Sequence, residues 1–410
     1  MGEVVEKNSA LSDLIVLDLT DEKGAYCTKI IADMGADVIK IEKPGGDDTR
    51  DLPPFANDVE DREKSLSFWH YNTNKRGITL NLEVPKGQEI YKKLAEKADI
   101  IVESYPPGYL DKLGLGYQDL SPVNPGLIMT SITPFGQTGP YRDYKSSDMV
   151  GCAMGGFMTT HGYPDQPPVI LYGDQGFHMA SNNAAIATLI ALYFRDMTGD
   201  GQFIDVSMQA AVAASVEVYN LVYIYQNDVM KRQGTRHATF GPGEMGNLIP
   251  CKDGFICTFG SPGPYDWMEA DGVAGKLLED PRWVDDIEFI REPENQAYLR
   301  ERQIEFAKFH DKEEIFIGCQ NMHVPWAKVN NFEDMFNDPQ LRDRGFCVEV
   351  EHPELETSFI YPGAPYKHTE TPWKITRRAP LIGEHNEEVY TKRLGFSKEE
   401  LSQLAQKGVI

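Results

Sequence analysis

Short, almost continuously apolar segments that alternate with helix-like segments dominate the first third of the chain. Residues 14–20 read LIVLDLT, a small-residue helical stretch runs to Met34, and ADVIKIEKP follows and is stopped by Pro44. Further on, KGQEIYKKLAEKA leads into DIIVES, and LIMTSITPFG ends in a glycine loop. Strands that are apolar on both faces and are joined by helices are typical of a parallel sheet covered on both sides. The sequence therefore predicts an α/β fold.

The character of the chain changes after an alanine-rich helix at 176–195 and the strand and helix that begin with FIDVSMQAA. From about Lys231 the sequence is polar and glycine-rich, and IPCKDGFICTFG predicts a hairpin that turns at Asp253–Gly254. The stretch 348–380 is rich in proline and β-formers, and a last helix is expected at 397–406. We divide the chain into a large domain, 1–225, a smaller α+β domain, 226–330, and a C-terminal segment, 331–410.

Charge and cysteine content exclude several functions. The formal charge of -23 disfavours binding to nucleic acid or to anionic membranes, so an anionic ligand needs a local basic pocket. The six cysteines form no Cys-x-x-Cys pair and have no histidine spacing typical of a metal site, so no metal is expected. The start MGEVVEKNSA lacks a basic region followed by an apolar one, which favours a cytoplasmic location.

Familiar catalytic patterns are missing from the chain. The turn after the first strand, DLTDEKGAY, has one glycine instead of the Gly-x-Gly-x-x-Gly that brings backbone to a dinucleotide, which argues against a nicotinamide enzyme. There is no Gly-x-Ser-x-Gly elbow for a serine hydrolase. The histidines at 70, 161, 178 and 237 show no partner spacing that indicates a catalytic base.

Asp174, in VILYGDQGFHMAS, is the most informative acidic residue. An aspartate directly before a helix is usually an N-cap, whose oxygen accepts backbone N–H bonds. The same helix end also favours an ionised carboxylate, and Gly173 and Gly176 leave room for a substrate to approach it. Such a carboxylate is a competent nucleophile towards an activated acyl group. From the residues alone, both interpretations of Asp174 stay open.

Taken in order, several segments resemble the family III CoA-transferases, the group that includes formyl-CoA transferase and the carnitine CoA-transferases. The matching segments cover most of residues 14–250: GADVIKIEKPGGDDTR, NTNKRGITLNL, ADIIVESYPPGYLDKLGLGYQDL, NPGLIMTSITPFGQTGPY and GDQGFHMASNNAAIATLIALYFRDMTGDGQFIDVSM, followed by a glycine loop at 241–246. Each segment is modest alone, but their combination and order are specific. The C-terminal third matches more loosely.

The resemblance implies a Rossmann-like large domain built from both chain ends, a smaller domain between them, and an interlocked dimer. It implies that Asp174 is the nucleophile and that coenzyme A, or its acyl thioester, binds as substrate without a metal. Gln137 and Gly243 are the candidate backbone donors to oxyanions. The implied coenzyme-binding positions follow the strands of the large domain: Glu22, Lys23, Lys43, Asn72, Thr73, Asn74, Lys75, Ser104, Tyr105, Pro106, Lys112, Thr133, Pro134, Phe135, Gly136 and Met208.

The activity implied is transfer of CoA from an acyl-CoA, with succinyl-CoA as one candidate, to a carboxylic acid through aspartyl anhydride and aspartyl-CoA thioester intermediates. Two alternatives stay open. An α-methylacyl-CoA racemase shares these motifs but has a histidine where this chain has Ser147, before Asp148. A non-catalytic subunit of a heteromer, paired with a related chain rather than with a second copy, would fit the departures at Glu22 and in the glycine loop.

The acids exchanged are left open by the sequence. Aromatic residues expected near the site point weakly to a bulky or aromatic acid, although ordinary core packing explains them equally well: Phe135, Tyr172, Phe240 and Tyr265.

Overall fold

The computed structural model describes residues 9–216, 219–232, 234, 236–238, 244–259 and 263–410. The chain forms two compact units. The first comprises residues 1–157, 171–217 and 340–410, and the second comprises 158–170 and 218–339. The structure therefore groups the short segment 158–170 with the second unit, which the sequence did not indicate. The predicted domains 1–225, 226–330 and 331–410, with the roles assigned to them, stay predictions.

The first unit is built on a six-stranded parallel sheet, as the apolar segments predict. Its strands are β1 (Ile15–Leu19), β2 (Asp37–Glu42), β3 (Arg76–Thr79), β4 (Ile100–Glu103), β5 (Ile128–Thr133) and β6 (Phe203–Ser207). The strand order is β3-β2-β1-β4-β5-β6, so the direction of winding reverses between β1 and β4. In sheets of this kind ligands bind beyond the carboxyl ends of the strands, at the point where the order reverses.

Helices cover both faces of this sheet. They are α1 (Ala25–Asp33), α2 (Leu66–Tyr71), α3 (Pro85–Ala95), α4 (Tyr109–Lys112), α5 (Tyr117–Leu120), α6 (Asp148–Met154), α7 (Gln175–Thr198) and α8 (Met208–Ser215). Successive strand residues point to opposite faces. Val16 therefore packs in one core with Ile31 of α1 and Ala184 of α7, whereas Leu17 packs in another core with Ile90 of α3.

The second unit contains an antiparallel sheet and a group of helices. Its elements are α9 (Tyr219–Gln226), β7 (Arg236–Ala238), β8 (Glu244–Cys251), β9 (Gly254–Phe259), α10 (Tyr265–Ala270), α11 (Arg282–Asp285), α12 (Ile287–Arg291), α13 (Pro293–Ala307), α14 (Lys312–Asn321), β10 (Ala327–Lys328) and α15 (Phe332–Asn337). The predicted hairpin is confirmed as β8–β9, but Cys251 pairs with Gly254, so the turn is Lys252–Asp253 rather than Asp253–Gly254. Trp283, Trp326 and Phe306 lie in its core.

The C-terminal segment from residue 340 onwards is part of the first unit and packs beside β3. It contains α16 (Pro339–Asp343), the hairpin β11 (Cys347–His352) and β12 (Thr357–Pro362), a π-helical turn (Glu388–Arg393) and α17 (Lys398–Gln406). The hydroxyl of Tyr390 donates to the carbonyl of Thr79 at 2.6 Å. The last helix is confirmed, with Ser397 as its N-cap. Within the part of the chain that the structure describes, no helix is long and apolar enough to cross a membrane.

Candidate active site

The carboxyl edge of the parallel sheet brings together most of the predicted coenzyme-binding positions. Glu22 and Lys23 follow β1, Lys43 follows β2, and the segments 104–106 and 133–136 lie at the ends of β4 and β5. Carboxyl ends of parallel strands meet at one edge of a sheet, and β1 and β4 are the neighbours at which the order reverses. The positions implied by the resemblance therefore coincide with the place where the topology favours a ligand.

Hydrogen bonds tie the loop after β1 to the loop after β4. Ser104 Oγ donates to Asp21 Oδ1 at 2.7 Å and accepts the Asp21 backbone N–H at 2.8 Å. The ammonium of Lys23 also pairs with Asp21. Burial, followed by the negative charge of Asp21, raises the pKa of Glu22. Glu22 is thus an acid held next to another acid, which makes it a poor partner for a phosphate.

A cavity of about 240 Å³ opens at the ends of β4 and β5. Its lining includes Pro106 and Gln137, both predicted site residues, together with Glu103 and Arg142. Burial raises the pKa of Glu103 to about 7, although its carboxylate accepts the Tyr105 backbone N–H at 2.7 Å. The cavity therefore presents the Arg142 cation and two acids, Asp111 and Glu103, of which Glu103 is readily protonated at neutral pH.

Lys75 is enclosed in the fold. Its side chain has no exposed area, and its ammonium contacts Asp18 Oδ2 at 2.8 Å, Thr28 Oγ1 at 2.8 Å and Asn72 Oδ1 at 2.9 Å. Its fourth contact is the carbonyl of Ala25, at 3.2 Å. These bonds use the three protons of the ammonium, so in this structure Lys75 joins strand β1 to helix α1.

Thr73 and Asn74 are also occupied by the fold. The Thr73 hydroxyl accepts a hydrogen bond from Lys29 at 2.7 Å. Asn74, at a φ of 65°, donates from its side chain to Asp33 Oδ1 at 2.7 Å and accepts the backbone N–H of Thr376, also at 2.7 Å. This residue therefore links the loop before β3 to the C-terminal segment.

The remaining predicted coenzyme contacts differ in their accessibility. Lys43 and Lys112 are exposed, and Lys43 forms an ion pair with Asp48 at 2.5 Å. Met208 begins α8 and is buried against Gly151, where a Cβ would lie 2.2 Å from the Met208 methyl carbon. Thr133 Oγ1 accepts the backbone N–H of Gly136 at 2.9 Å, which closes the turn after β5.

Asp174 occupies the N-cap position of α7 without performing the capping role. Its side chain accepts no hydrogen bond from the helix, and the residue is exposed. The acceptor comes instead from Asp148, at the start of α6, whose Oδ1 accepts the backbone N–H of Phe177 at 2.9 Å. Because Asp148 is buried and satisfies the first turn, the Asp174 carboxylate is available for another purpose. Of the two interpretations left open by the sequence, the geometry favours the functional one.

The surroundings of Asp174 make its ionised form less favourable than it is in water. Partial loss of hydration at one side of the exposed carboxylate, followed by the charge of Asp148, raises the pKa of Asp174, whereas the charge of His178 lowers it. Gly176 belongs to the first turn of α7 and faces α6. A Cβ at this position would come within 3.0 Å of both Asp148 Oδ1 and Cys152 Sγ. The close approach of α6 to α7, which places the two carboxylates near each other, therefore depends on a glycine at this position.

Tyr71 and His178 complete the surroundings of Asp174, and no sequence pattern indicated them. Tyr71 Oη and His178 Nε2 are 2.6 Å apart, and the His178 ring stacks on Tyr26 with centroids 4.6 Å apart. The charge of Asp174 acts on both Tyr71 and His178. The two residues are 107 positions apart in the chain, so only the fold brings them together.

Of the two candidate oxyanion donors, Gln137 and Gly243, the structure describes Gln137. The backbone N–H of Gln137 donates to the Asp205 carboxylate, at 3.0 and 2.9 Å, and its side chain donates to Ser131 Oγ at 2.7 Å. This amide is therefore occupied, and its role stays a prediction. Gly243 lies outside the described residues, as do Phe240 and the first part of the glycine loop at 241–246. Ser147, where a racemase has histidine, caps α6 through its hydroxyl.

The fold and the site define a parallel α/β protein with a candidate ligand site at the carboxyl edge of the sheet. Its candidate reactive group is the exposed Asp174 carboxylate, which makes no capping bond to α7. Among the described residues, no group of three or more His, Cys, Asp or Glu side chains could hold a metal ion.

Comparison with known proteins identifies the family. The model of CoA-transferase family III matches residues 11–386, and the chain belongs to this family. Succinyl-CoA:(R)-benzylsuccinate CoA-transferase subunit BbsE from Thauera aromatica is 34% identical, covering 96% of this chain and 97% of that protein. Formyl-CoA:oxalate CoA-transferase from Streptomyces coelicolor is 33% identical, covering 98% and 99%. The chain is thus a CoA-transferase, which confirms the resemblance stated from the sequence, and CoA thioesters are its substrates.

Solved structures confirm the fold. A CAIB/BAIF family protein from Brucella suis superposes with a TM-score of 0.84 at 29% identity, covering 94% of this chain and all of that one. A hypothetical protein from Mycobacterium tuberculosis superposes with a TM-score of 0.74 at 23% identity, covering 93% and 98%, and shows the fold alone.

Proposed function

We propose that this CoA-transferase works by covalent catalysis on Asp174. The proposal depends on one observation. Asp174 stands at the N-terminus of α7, but its carboxylate accepts no backbone N–H of the helix, and Asp148 accepts the Phe177 backbone N–H instead. The helix N-terminus favours the ionised carboxylate, which is the nucleophilic form. An aspartate needed only to cap the helix would make the bond that Asp148 makes.

The reaction proceeds as a relay of acyl transfers. An Asp174 oxygen attacks the thioester carbonyl of the donor, the C–S bond breaks, and a mixed anhydride and CoA thiolate result. The thiolate attacks the Asp174 carbonyl of the anhydride, which releases the donor acid and leaves an aspartyl-CoA thioester. The acceptor carboxylate then attacks this thioester and forms a second anhydride with release of thiolate, which finally captures the acceptor acyl group and regenerates Asp174. Every step exchanges one activated acyl group for another, so no other energy source is required.

We propose succinyl-CoA as donor and a dicarboxylic acid as acceptor. The basis is the set of relatives, whose names include succinyl-CoA with (R)-benzylsuccinate, D-citramalate and mesaconate. All three acceptors are dicarboxylic acids. The half-buried rings of Tyr26 and Tyr71 beside Asp174 are aromatic surfaces on which an aryl substituent such as that of benzylsuccinate would pack.

The coenzyme is proposed to bind along the carboxyl edge of the sheet, between the loops after β1 and β4. Support comes from the reversal of strand order at this point and from the exposure of Lys43 and Lys112. Lys75 links Asp18 of β1 to Ala25 of α1, the two elements that flank the loop after β1. Replacing Lys43 or Lys112 by Ala should raise the KM for acyl-CoA more than it lowers kcat, whereas an unchanged KM would remove that lysine from the site.

The chain is proposed to act as a dimer, either with a second copy or with a related chain. The exposed face of α7 carries an apolar stripe: Ile186, Ile190, Tyr193 and Met197, which are 59%, 64%, 69% and 70% exposed. Their spacing places them on one side of the helix. An exposed stripe of this kind marks an interaction surface. Light scattering of the purified chain should give twice 46.1 kDa, and a monomer would direct the search to a second, related chain.

Replacement of Asp174 tests the proposed function. Asp174→Asn keeps the shape of the side chain but removes the nucleophile, so acid-dependent consumption of succinyl-CoA should fall below detection while the Kd for CoA stays within about twofold. Asp143→Asn, at a carboxylate that is 81% exposed, is the matched control and should retain turnover. Retained turnover in Asp174→Asn across a panel of dicarboxylic acids would exclude Asp174 as the nucleophile.

A further inference from the structure

Tyr71 and His178 form a hydrogen-bonded pair, and one polar hydrogen of this pair has no acceptor among the described residues. Burial raises the pKa of Tyr71 to about 12, so its hydroxyl is protonated at neutral pH. Burial also lowers the pKa of His178, so its ring is neutral and carries one N–H. The pair therefore has two polar hydrogens, and the single contact of 2.6 Å between Oη and Nε2 uses one of them.

The second hydrogen stays available whichever tautomer the histidine adopts. If Tyr71 donates to Nε2, the ring proton is on Nδ1; if Nε2–H donates, the tyrosine O–H is unshared. Within the described residues, neither side chain has another hydrogen-bond partner. Both residues are half-buried, which leaves them accessible to a bound substrate.

A second pair of the same kind in this chain shows what a saturated arrangement looks like. Tyr361 Oη and His352 Nε2 are 2.8 Å apart, but His352 Nδ1 also contacts Glu354 Oε1 at 3.1 Å. There a carboxylate completes the pair and His352 is fully buried. Among the described residues, the Tyr71–His178 pair beside Asp174 has no such third partner. Its second polar hydrogen is therefore available to a group bound at the candidate nucleophile.

The position of the pair is fixed relative to Asp174. His178 lies one helical turn along α7, and its backbone N–H donates to the Asp174 carbonyl at 3.0 Å. The stacked ring of Tyr26, with an interplanar angle of 22°, holds the plane of the imidazole. The Asp174 carboxylate interacts electrostatically with both the Tyr71 hydroxyl and the His178 ring. A donor fixed in this way needs little rearrangement to act.

We propose that Tyr71 and His178 are catalytic residues that together supply one hydrogen-bond donor to the oxyanion formed when Asp174 attacks the thioester carbonyl. In that step the new bond joins an Asp174 oxygen to the carbonyl carbon, and the electron pair of the C=O bond moves onto its oxygen. Collapse of the oxyanion then expels CoA thiolate, and no proton is transferred in this step. The inference rests on the proposed function, since it needs Asp174 as nucleophile. The occupied amide of Gln137 makes such a donor more necessary.

Single-turnover acylation measures the donor directly. Enzyme is mixed with succinyl-CoA, quenched at intervals, and the modified Asp174 peptide is quantified by mass spectrometry. Tyr71→Phe leaves the imidazole N–H, and His178→Phe leaves the tyrosine O–H, so each should slow acylation by less than about tenfold. The double variant has no donor and should slow it by about 100- to 1,000-fold, with the Kd for CoA unchanged.

A rescue variant separates the donor from the shape of the site. Tyr71→Phe combined with His178→Gln restores a side-chain N–H and should recover at least about tenfold over the double phenylalanine variant. Tyr361→Phe, in the saturated pair, is the control and should acylate at the wild-type rate. If the double phenylalanine variant does not bind CoA, His178→Met replaces His178→Phe in the same comparison, since Met fills irregular gaps and has no donor.

Each outcome has one meaning. A double variant that loses only the product of the two single effects, or a Gln variant that recovers nothing, overturns the proposed donor while the proposed function stands. Wild-type enzyme that is never modified at Asp174 overturns the proposed function itself.

Discussion

Replacing Asp148 separates the two tasks that its carboxylate performs at the start of α7. One oxygen accepts the Phe177 backbone N–H at 2.9 Å, and the negative charge raises the pKa of Asp174. Asp148→Asn keeps a carbonyl oxygen that can accept the same bond but removes the charge. Asp148→Ala removes both. The pair of variants therefore distinguishes helix capping from electrostatics.

The stability effect follows from the hydrogen bond. Loss of an N-cap acceptor costs about 0.5–2 kcal/mol, and a buried N–H left without a partner costs about 1–3 kcal/mol. These describe the same bond, so Asp148→Ala should lower the free energy of unfolding by about 1–3 kcal/mol. Asp148→Asn should lower it by less than about 0.5 kcal/mol, as for a substitution that keeps the contact. Urea denaturation at pH 7 measures both.

The effect on activity follows from the charge. Asp174 must be ionised to attack, and its pKa is raised by burial and then by Asp148, so acylation should increase as pH rises through that raised value. Removing the Asp148 charge lowers the pKa of Asp174, and the acidic limb of the acylation profile should move to lower pH in Asp148→Asn. A limb that stays in place or moves upward, or equal destabilisation by Asn and Ala, would refute this account of the site.

Three further predictions concern Lys75, Glu103 and Gly176. Lys75→Met leaves Asp18 buried without its partner and should destabilise the chain by about 3–5 kcal/mol in urea, whereas the exposed Lys43→Met should change stability by less than about 1 kcal/mol. Because burial raises the pKa of Glu103 from 4.5 to about 7, the wild type should lose stability as pH rises from 4.5 through 7. Glu103→Gln should therefore match the wild type near pH 4 and exceed it by at most about 3 kcal/mol at pH 8. Gly176→Ala should push α7 away from α6 and slow acylation at least about tenfold at unchanged Kd for CoA, which stopped-flow acylation would show.

Much of the fold could be predicted because its strands are buried on both faces. Segments such as LIVLDLT and DIIVES are apolar without alternation, and only a sheet covered on both sides accommodates them. The β8–β9 hairpin was also predicted, with its turn displaced by one residue because Gly254 already pairs with Cys251. Local patterns thus carry the strands, the helices and their order along the chain.

The site was only partly predictable, because its decisive contacts join distant residues. Nothing near Asp174 in the sequence shows that Asp148, 29 positions before Phe177, accepts the capping bond. In the same way Lys75 is a coenzyme-binding position by resemblance, yet its burial against Asp18 depends on how the residue before β3 packs against β1. The identity of a residue can be taken from a motif, but its accessibility and partners come from packing.

Covalent trapping on Asp174 tests the central claim most directly. The purified enzyme is incubated with succinyl-CoA, quenched with hydroxylamine, and the peptide that contains Asp174 is analysed by mass spectrometry, with Asp174→Asn treated in parallel. The account predicts an aspartyl hydroxamate at Asp174 in the wild type and none in the variant. An unmodified Asp174 in enzyme that binds CoA and turns over succinyl-CoA would contradict it.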